Sequence, residues 1–286
     1  MRGAAVGGGP ARAGLGWGRC SALTWGKSVA FGVEDGGVRT CVGARGHPCP
    51  GRVEVSARST GARCEECARL DRAHSVAADT MADDRRPYHV YLAWFGPGMV
   101  KAGITAVERG SARLLEQGAV CFSWLGAGPL MAARRTEELL RAALGVPDRI
   151  PYAEKRAVRA RLPGTEGERA AEVVALHARA LALDGWPESL VREPCRVVDH
   201  VEVFGLGRES RAEVVGEVAG LGPGGVVSGE LVAAAGPDLH LRTARGIVVL
   251  DTRLLPGWGL VPAAGREPSV PVVRFRRERS AQDGLF

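Results

Sequence analysis

Apolar positions in the middle of the chain follow first a strand period and then a helix period. Tyr88 to Phe95 and Met99 to Ile104 are β-prone runs joined by Gly96-Pro97-Gly98, a sequence suited to a tight turn. Glu108 to Gln117 predicts a short helix stopped by Gly118, Val120 to Leu125 a strand, and Leu130 to Leu144 a helix stopped by Gly145. The order is β-β-α-β-α. Two more helices are predicted, one with Pro151 at its first position and one opened by the capping box Thr165-x-x-Glu168 and closed by Gly185.

On either side of this region the pattern changes. Residues 1 to about 15 show no periodicity and are expected to be disordered. From Leu15 to Val38 short apolar pieces alternate with glycines, and Asp35-Gly36-Gly37 reads as a hairpin turn. Ala68 to Arg86 is polar, a short helix plus a linker ending at Pro87. From Cys195 onward β-prone pieces such as VVSGELVAAAG, DLHLRT and GIVVLDTRLL are separated by glycines, the pattern of a small barrel or sandwich. Strands this short offer little independent core, so the unit is expected to pack on its neighbour. The last stretch is a basic polar tail.

Cysteine adds the first chemistry. Cys41-x7-Cys49-x14-Cys64-x2-Cys67 ends in a pair that places two thiolates on one metal from a single turn. Zinc favours four such ligands in a tetrahedron, and a closed set is structural, with no open position for a reaction. His47, two residues from Cys49, is the alternative fourth ligand. Cys20, Cys121 and Cys195 lack this spacing, and Cys121 lies in an apolar strand where it reads as packing. Seven cysteines without an export signal disfavour a disulfide framework.

Net charge of +6 suits a polyanionic partner, because clustered cations gain affinity for phosphate by releasing counterions. The charge is carried almost wholly by arginine, with Lys27, Lys101 and Lys155 the only lysines, and the chain has no asparagine. Such a bias also follows from GC-rich codons without selection for binding. No apolar run reaches the roughly 18 residues a membrane span needs, and the N-terminus has no continuous apolar core, so a cytoplasmic protein without a membrane partner is expected. Oligomeric state is not legible.

The phrases VYLAWFGPGMVKAGIT, ARLLEQGA and AARRTEELLRAALG resemble a divergent GIY-YIG nuclease module, with Val90-Tyr91 in the first signature strand and Lys101-Ala102-Gly103 in the second. With the upstream cysteines and GELVAAAG...LHLRTARGIVVLD, most of residues 39 to 260 resemble an uncharacterised bacterial family that joins a four-cysteine zinc ribbon to such a module. The resemblance implies that Tyr91 helps activate water, Arg113 steadies a phosphate and Glu137 holds a divalent metal, Mg²⁺ or Mn²⁺. Lys101 stands where many members have tyrosine; it can touch phosphate as a point charge but cannot act as a phenol. The asparagine usually found beyond the glutamate helix has no counterpart.

Helical spacing agrees in part. Ala133, Glu137, Leu140 and Leu144 share one stripe, whereas Glu138 aligns with Arg134 and Arg141 on a polar face. Arg109, Arg113 and Gln117 line one side of the preceding helix, away from Ala112 and Leu115, which are expected to face the core. In a different context Tyr91 would be sheet packing, Arg113 a surface residue and Glu137 a helix-stabilising partner.

The expected fold is therefore α+β in three parts: a zinc-ribbon-like module with linker (residues 16–86), a GIY-YIG-like module with following helices (87–194) and a β-rich unit (195–265), then the tail (266–286). The expected function is nucleic-acid binding, DNA or RNA, with a structural zinc and divalent-metal hydrolysis of phosphodiesters. The competing expectation is a module that keeps the fold as a non-catalytic platform for nucleic acid or protein. Asp199-His200 and Asp238-x-His240 are isolated pairs without a nucleophile at telling spacing, so a small-molecule enzyme is disfavoured.

Overall fold

The structure, a computed structural model, describes residues 24–73, 84–207 and 214–275. The unpatterned N-terminal 15 residues, much of the linker before Pro87 and the end of the basic tail lie outside them. The described chain is a mixed α and β fold built on two sheets.

After β1 (Ser28–Val33) come the cysteine-bearing loop and α1 (Glu65–Arg72). The central module then runs β2 (Pro87–Trp94), β3 (Val100–Ala106), α2 (Ala112–Gln117), β4 (Cys121–Pro129) and α3 (Leu130–Leu144), in the order that the hydrophobic pattern predicts. Next are α4 (Tyr152–Arg159) and α5 (Glu166–Leu181). Short β5 (Val191–Arg192) and β6 (Val198–Asp199) both pair with β4, so the sheet reads β3-β2-β4-β5.

The two faces of β2 belong to different cores, as alternation requires. Tyr88, Val90, Leu92 and Trp94 pack with Leu130, Ala133 and Leu140 of α3 and Val173 and Ala180 of α5. Tyr91, Ala93 and Phe95 face the other way, onto Leu114 of α2 and onto Phe122 and Trp124 of β4. A bulge sets this arrangement. Val90 pairs with Gly126 but Tyr91 with Trp124, so Leu125 is the extra residue of β4 and Trp124 is re-aimed beside Tyr91.

Several boundaries differ from the sequence pattern. The run from Glu108 is not one helix: a single 3-10 turn (Val107–Arg109) stops at Gly110, whose φ of 47° and ψ of −139° no helix accommodates, and α2 starts afresh. Leu114, not Ala112, is its fully buried residue, and Gln117 is buried as well, so that Gln117 does not share Arg113's exposed side. The Thr165/Glu168 capping box forms as expected, whereas α5 ends at Leu181, before Gly185.

The second sheet has seven strands in the order β11-β1-β8-β9-β10-β7-β12. After α6 (Val201–Phe204), its strands β7 (Val214–Val218), β8 (Val226–Ala235), β9 (Asp238–Thr243), β10 (Gly246–Asp251), β11 (Leu260–Pro262) and β12 (Val272–Arg274) come from the C-terminal third. The exception is β1. The sequence places it in a hairpin beside the first cysteine; instead it inserts between β8 and β11. The Asp35-Gly36 turn forms but returns the chain to the cysteine loop, not to a partner strand. The physical reason is burial, because Phe31 and Val33 join Val227, Leu241 and Leu250 in a core that a lone hairpin cannot supply.

The sheets are fused. Ala233 and Ala235 of β8 share the larger core of the central module, as do Phe204 and Leu206. The β8–β9 turn abuts the end of α2 so closely that a Cβ on Gly236 would lie 2.9 Å from the Gly118 amide nitrogen. Across this junction α4 sends Arg156 to Asp238 (2.9 Å), Glu217 (2.8 Å) and Asp251, and Arg159 to Asp238 and the Ala235 carbonyl. Asp238 is wholly buried, so these guanidinium groups balance a charge that water cannot reach.

Candidate functional site

Cys41, Cys49, Cys64 and Cys67 offer sulfur atoms that all lie within 4.8 Å of one another, a grouping that could hold a metal ion such as zinc. Cys64 is the cap of α1 and Cys67 sits in its first turn, which makes the C-x2-C pair converge. The opposing loop turns at Gly43, where φ is 82° and a Cβ would meet the His47 carbonyl oxygen at 1.9 Å. That same turn leaves His47 exposed and outside the sulfur cluster, so Cys49 is the grouped residue. The amides of Gly43 and Cys64 donate to the Cys41 sulfur at 3.3 and 3.2 Å, the partners a metal-bound thiolate takes. Backbone donation around Val53 lowers the Cys49 thiol to about 7, while burial pushes Cys67 up to about 12. A bound cation removes that second penalty, since it stabilises the ionised sulfur directly.

The knuckle is fixed to the second sheet by Arg39. Its buried guanidinium donates to the carbonyls of Pro256 (2.9 Å), Ser56 (2.7 Å), Ser59 (2.6 Å) and Arg253 (3.1 Å). Gly257 lets this approach happen, because a Cβ there would lie 2.2 Å from the Thr40 carbonyl oxygen.

The other candidate residues gather around Tyr91. This tyrosine is 1% exposed, its ring lies against Gly103 of β3, and its hydroxyl accepts a hydrogen bond from Gln117 Nε2 at 3.0 Å. Lys101, also on β3, places Nζ 5.9 Å from the Tyr91 ring centre and donates to the Asp148 carbonyl at 2.7 Å. Glu137 is half-buried on α3. Arg113 is exposed, one turn before Gln117, and lies 3.7 Å from Glu116.

Their charges act on one another. Burial raises the Tyr91 phenol, with Arg113 opposing and Glu137 adding to that rise. Burial, reinforced by Arg113 and opposed by Glu137, lowers Lys101 to about 8. Glu137 is itself raised by burial and drawn down by Lys101. Tyr91, Lys101, Arg113 and Glu137 therefore share one electrostatic neighbourhood. Asp148 joins them through both Lys101 and Glu137.

Three residues that the sequence did not single out belong to the same neighbourhood. Lys155 of α4 is 3% exposed, sits 3.8 Å from the Phe95 ring centre and 4.5 Å from that of Tyr152, and donates to the Gln117 carbonyl at 3.3 Å. Burial and the nearby Lys101, Arg159 and Arg113 bring it down to about 7. Tyr152 donates to the Glu116 carbonyl at 3.1 Å and carries the Arg253 guanidinium 4.1 Å from its ring centre. The available signal was that Lys155 is one of three lysines in an arginine-rich chain.

A divalent ion at Glu137 lacks a comparable set of protein ligands. Among the described residues, the cysteine cluster is the group of three or more histidine, cysteine and carboxylate donors close enough to hold a metal, and Glu137 is not in it. One carboxylate leaves the remaining positions to water and phosphate oxygens. The pairs Asp199-His200 and Asp238-x-His240 are structural: Arg169 donates to Asp199 at 2.6 Å, His200 Nδ1 donates to the Ala119 carbonyl at 2.9 Å, and Asp238 belongs to the Arg156 network. No helix among the described residues is long and apolar enough to cross a membrane.

The chain belongs to the DUF2797 family, described as proteins of unknown function, which it matches over residues 26–260. That range takes in β1, the cysteine knuckle, the Tyr91 module and the second sheet as far as the start of β11. Neither a curated protein nor a solved structure matches the chain.

Proposed function

We propose that the chain is a zinc-containing nucleic-acid-binding protein whose Tyr91 face grips backbone phosphate, with the cysteine knuckle as a structural element. The observation that supports this most is the pair of lysines beside Tyr91. Lys101 and Lys155 each donate to a main-chain carbonyl, not to a carboxylate, and both lie in the field of Arg113. Buried ammonium groups whose affinity for protons is lowered by burial and by Arg113 make a site where an anion is stabilising. A phosphodiester carries that anion without needing base recognition.

Hydrolysis of the phosphodiester is the second reading, and the position of Glu137 favours it. This carboxylate sits half-buried within the field of Lys101, where Glu138 is instead paired with Arg141 at the surface. Mg²⁺ or Mn²⁺ held between Glu137 and substrate oxygens would supply Lewis acidity there. Tyr91 speaks for binding over cleavage, since its hydroxyl is buried, raised in pKa and occupied by Gln117.

One pair of measurements separates the readings. Fluorescence anisotropy with labelled DNA and RNA oligonucleotides should give an affinity that falls steeply as salt rises. Absence of binding at 50 mM salt would sink the proposal. If gel assays with Mg²⁺ or Mn²⁺ show cleavage that disappears in Glu137→Ala, the hydrolytic reading is added; intact oligonucleotide with both proteins leaves binding alone.

A further inference from the structure

The strand pairing puts one row of side chains across the Tyr91 face of the central sheet. Tyr91 of β2 pairs with Gly103 of β3 on one side and with Trp124 of β4 on the other, and Lys101 is two residues from Gly103. The Tyr91 and Trp124 rings meet edge to face at 6.2 Å, so the phosphate-binding side of the row and its aromatic end are adjacent. Phe122 also meets Trp124 edge to face, at 4.9 Å, and His89 stacks on it at 4.3 Å with the planes 19° apart. These three contacts lock the indole in place while leaving it partly exposed.

Beside Trp124 the chain opens into a cleft of about 260 Å³ lined by Trp124, Glu193, Pro194 and Arg196. The segment from Glu193 to Arg196 arches over the edge of β4 between its two short pairings, at Gly126 with Arg192 and at Phe122 with Val198. Its backbone is held at both ends, Glu193 N to the Leu125 carbonyl at 2.9 Å and Arg196 N to Ser123 Oγ at 3.1 Å. Glu193 also stands 3.2 Å from His89 Nδ1. The cleft thus combines an immobilised aromatic surface, a proline wall, a donor fork and an acceptor.

We propose that this cleft takes an unpaired nucleobase, with Trp124 as the stacking platform and with Arg196 and Glu193 reading the base edge. The inference rests on the nucleic-acid reading above and adds its substrate class: single-stranded nucleic acid, or a strand with a base out of the helix. A paired base is stacked on both sides and cannot offer its face to an indole, whereas an unpaired one can. Arginine supplies paired donors for a purine's acceptor edge and glutamate accepts from an exocyclic amine. Because Trp124 adjoins Tyr91, a nucleotide whose base enters the cleft keeps its backbone on the side where Lys101 and Arg113 act.

The test compares a labelled single-stranded oligonucleotide with its duplex, at equal length and several salt concentrations, for the wild type, Trp124→Leu, Trp124→Phe and Arg196→Ala. The single strand is expected to bind the wild type at least tenfold more tightly. Trp124→Leu should lose about five- to a hundredfold of that affinity, with the slope of log K against log salt unchanged, and Trp124→Phe should recover most of it. Arg196→Ala, at an exposed position, reads the same cleft without touching the core. Equal binding of single strand and duplex, with Trp124→Leu and Arg196→Ala both unaltered, overturns the cleft while the phosphate site stands. Binding of neither form by the wild type overturns the nucleic-acid reading and this inference with it. Trp124-dependent binding of an aromatic peptide in place of the oligonucleotide overturns the choice of ligand.

Discussion

The cysteine knuckle and the Tyr91 cluster are assembled in opposite ways. The knuckle draws its four sulfurs from Cys41 to Cys67, through a turn at Gly43 and one helix start, and its chemistry is decided by which atoms are present. The Tyr91 cluster draws on β2, β3, α2, α3 and α4, and its chemistry is decided by how deeply each group is buried. Lysine at position 101 would be an ordinary cation on a surface; beneath Tyr91 it is lowered to about 8. The lesson is that a grouping of sulfur donors is carried by residue type and spacing, whereas shifted lysines exist only once distant elements have packed.

The largest effect expected is on the knuckle. Cys64→Ser with Cys67→Ser should abolish about one equivalent of bound zinc and release hydrogen-exchange protection around residues 39 to 70, since ligation in such modules supplies on the order of 10 kcal/mol of folding free energy. Freshly purified wild-type protein with less than about a tenth of an equivalent by elemental analysis would remove the metal from the comparison. Arg39 predicts where the damage stops, because it ties the loop to Pro256 and Arg253 independently of the metal.

Next in size is the buried ion network that brings α4 to the Tyr91 cluster. Asp238→Ala should destabilise by about 3–5 kcal/mol in denaturant unfolding, because it strips the buried Arg159 guanidinium of its carboxylate, while Arg156 keeps Glu217 and Asp251. A loss below about 1 kcal/mol would mean that water reaches the junction. Gly103→Ala is expected to cost about 1–3 kcal/mol, since the new Cβ would lie 2.4 Å from the Tyr91 hydroxyl and must displace it. Oligonucleotide affinity should fall together with that stability; an unchanged affinity would detach Tyr91 from the binding face.

A pH series addresses the lysines themselves. Lys155 at about 7 and Lys101 at about 8 lie below the unfolded value of about 10.4, so between those values the unfolded chain binds more protons than the folded one. Stability should therefore rise with pH from about 7 toward about 10, and Lys155→Met should flatten the lower part of that rise. A wild-type slope of zero or of the opposite sign across this window counts against a buried, depressed Lys155. The smallest effect belongs to the surface: Glu138→Gln removes only the exposed pair with Arg141 and should change stability by no more than about 0.5 kcal/mol. A larger loss there would erase the contrast with Glu137.

Much of the local structure was legible in the residues. Gly118 and Gly145 end α2 and α3 in the left-handed conformation, Thr165 and Glu168 cap α5, and the cysteine spacing identifies all four grouped sulfurs. These features depend on neighbours within a few positions, or on residue types with few other uses. The glycine spacing of the C-terminal third likewise announces a β-rich unit, though not its partners.

What the sequence could not decide involves pairs far apart in the chain. Nothing near Ser28 to Val33 states that this strand crosses to β8 and β11, because the apolar side chains that receive Phe31 and Val33 lie about two hundred residues away. Nothing near Tyr152 and Lys155 states that they belong with Tyr91, because α4 is oriented by Asp238, Glu217 and Asp251 of the second sheet. By itself the sequence determined most of the central elements, several of their glycine and Thr165 caps, and which four sulfurs group together. Only the tertiary structure decided which faces became dry, and burial is what brings an arginine-rich chain's few lysines and one half-buried glutamate under one another's influence.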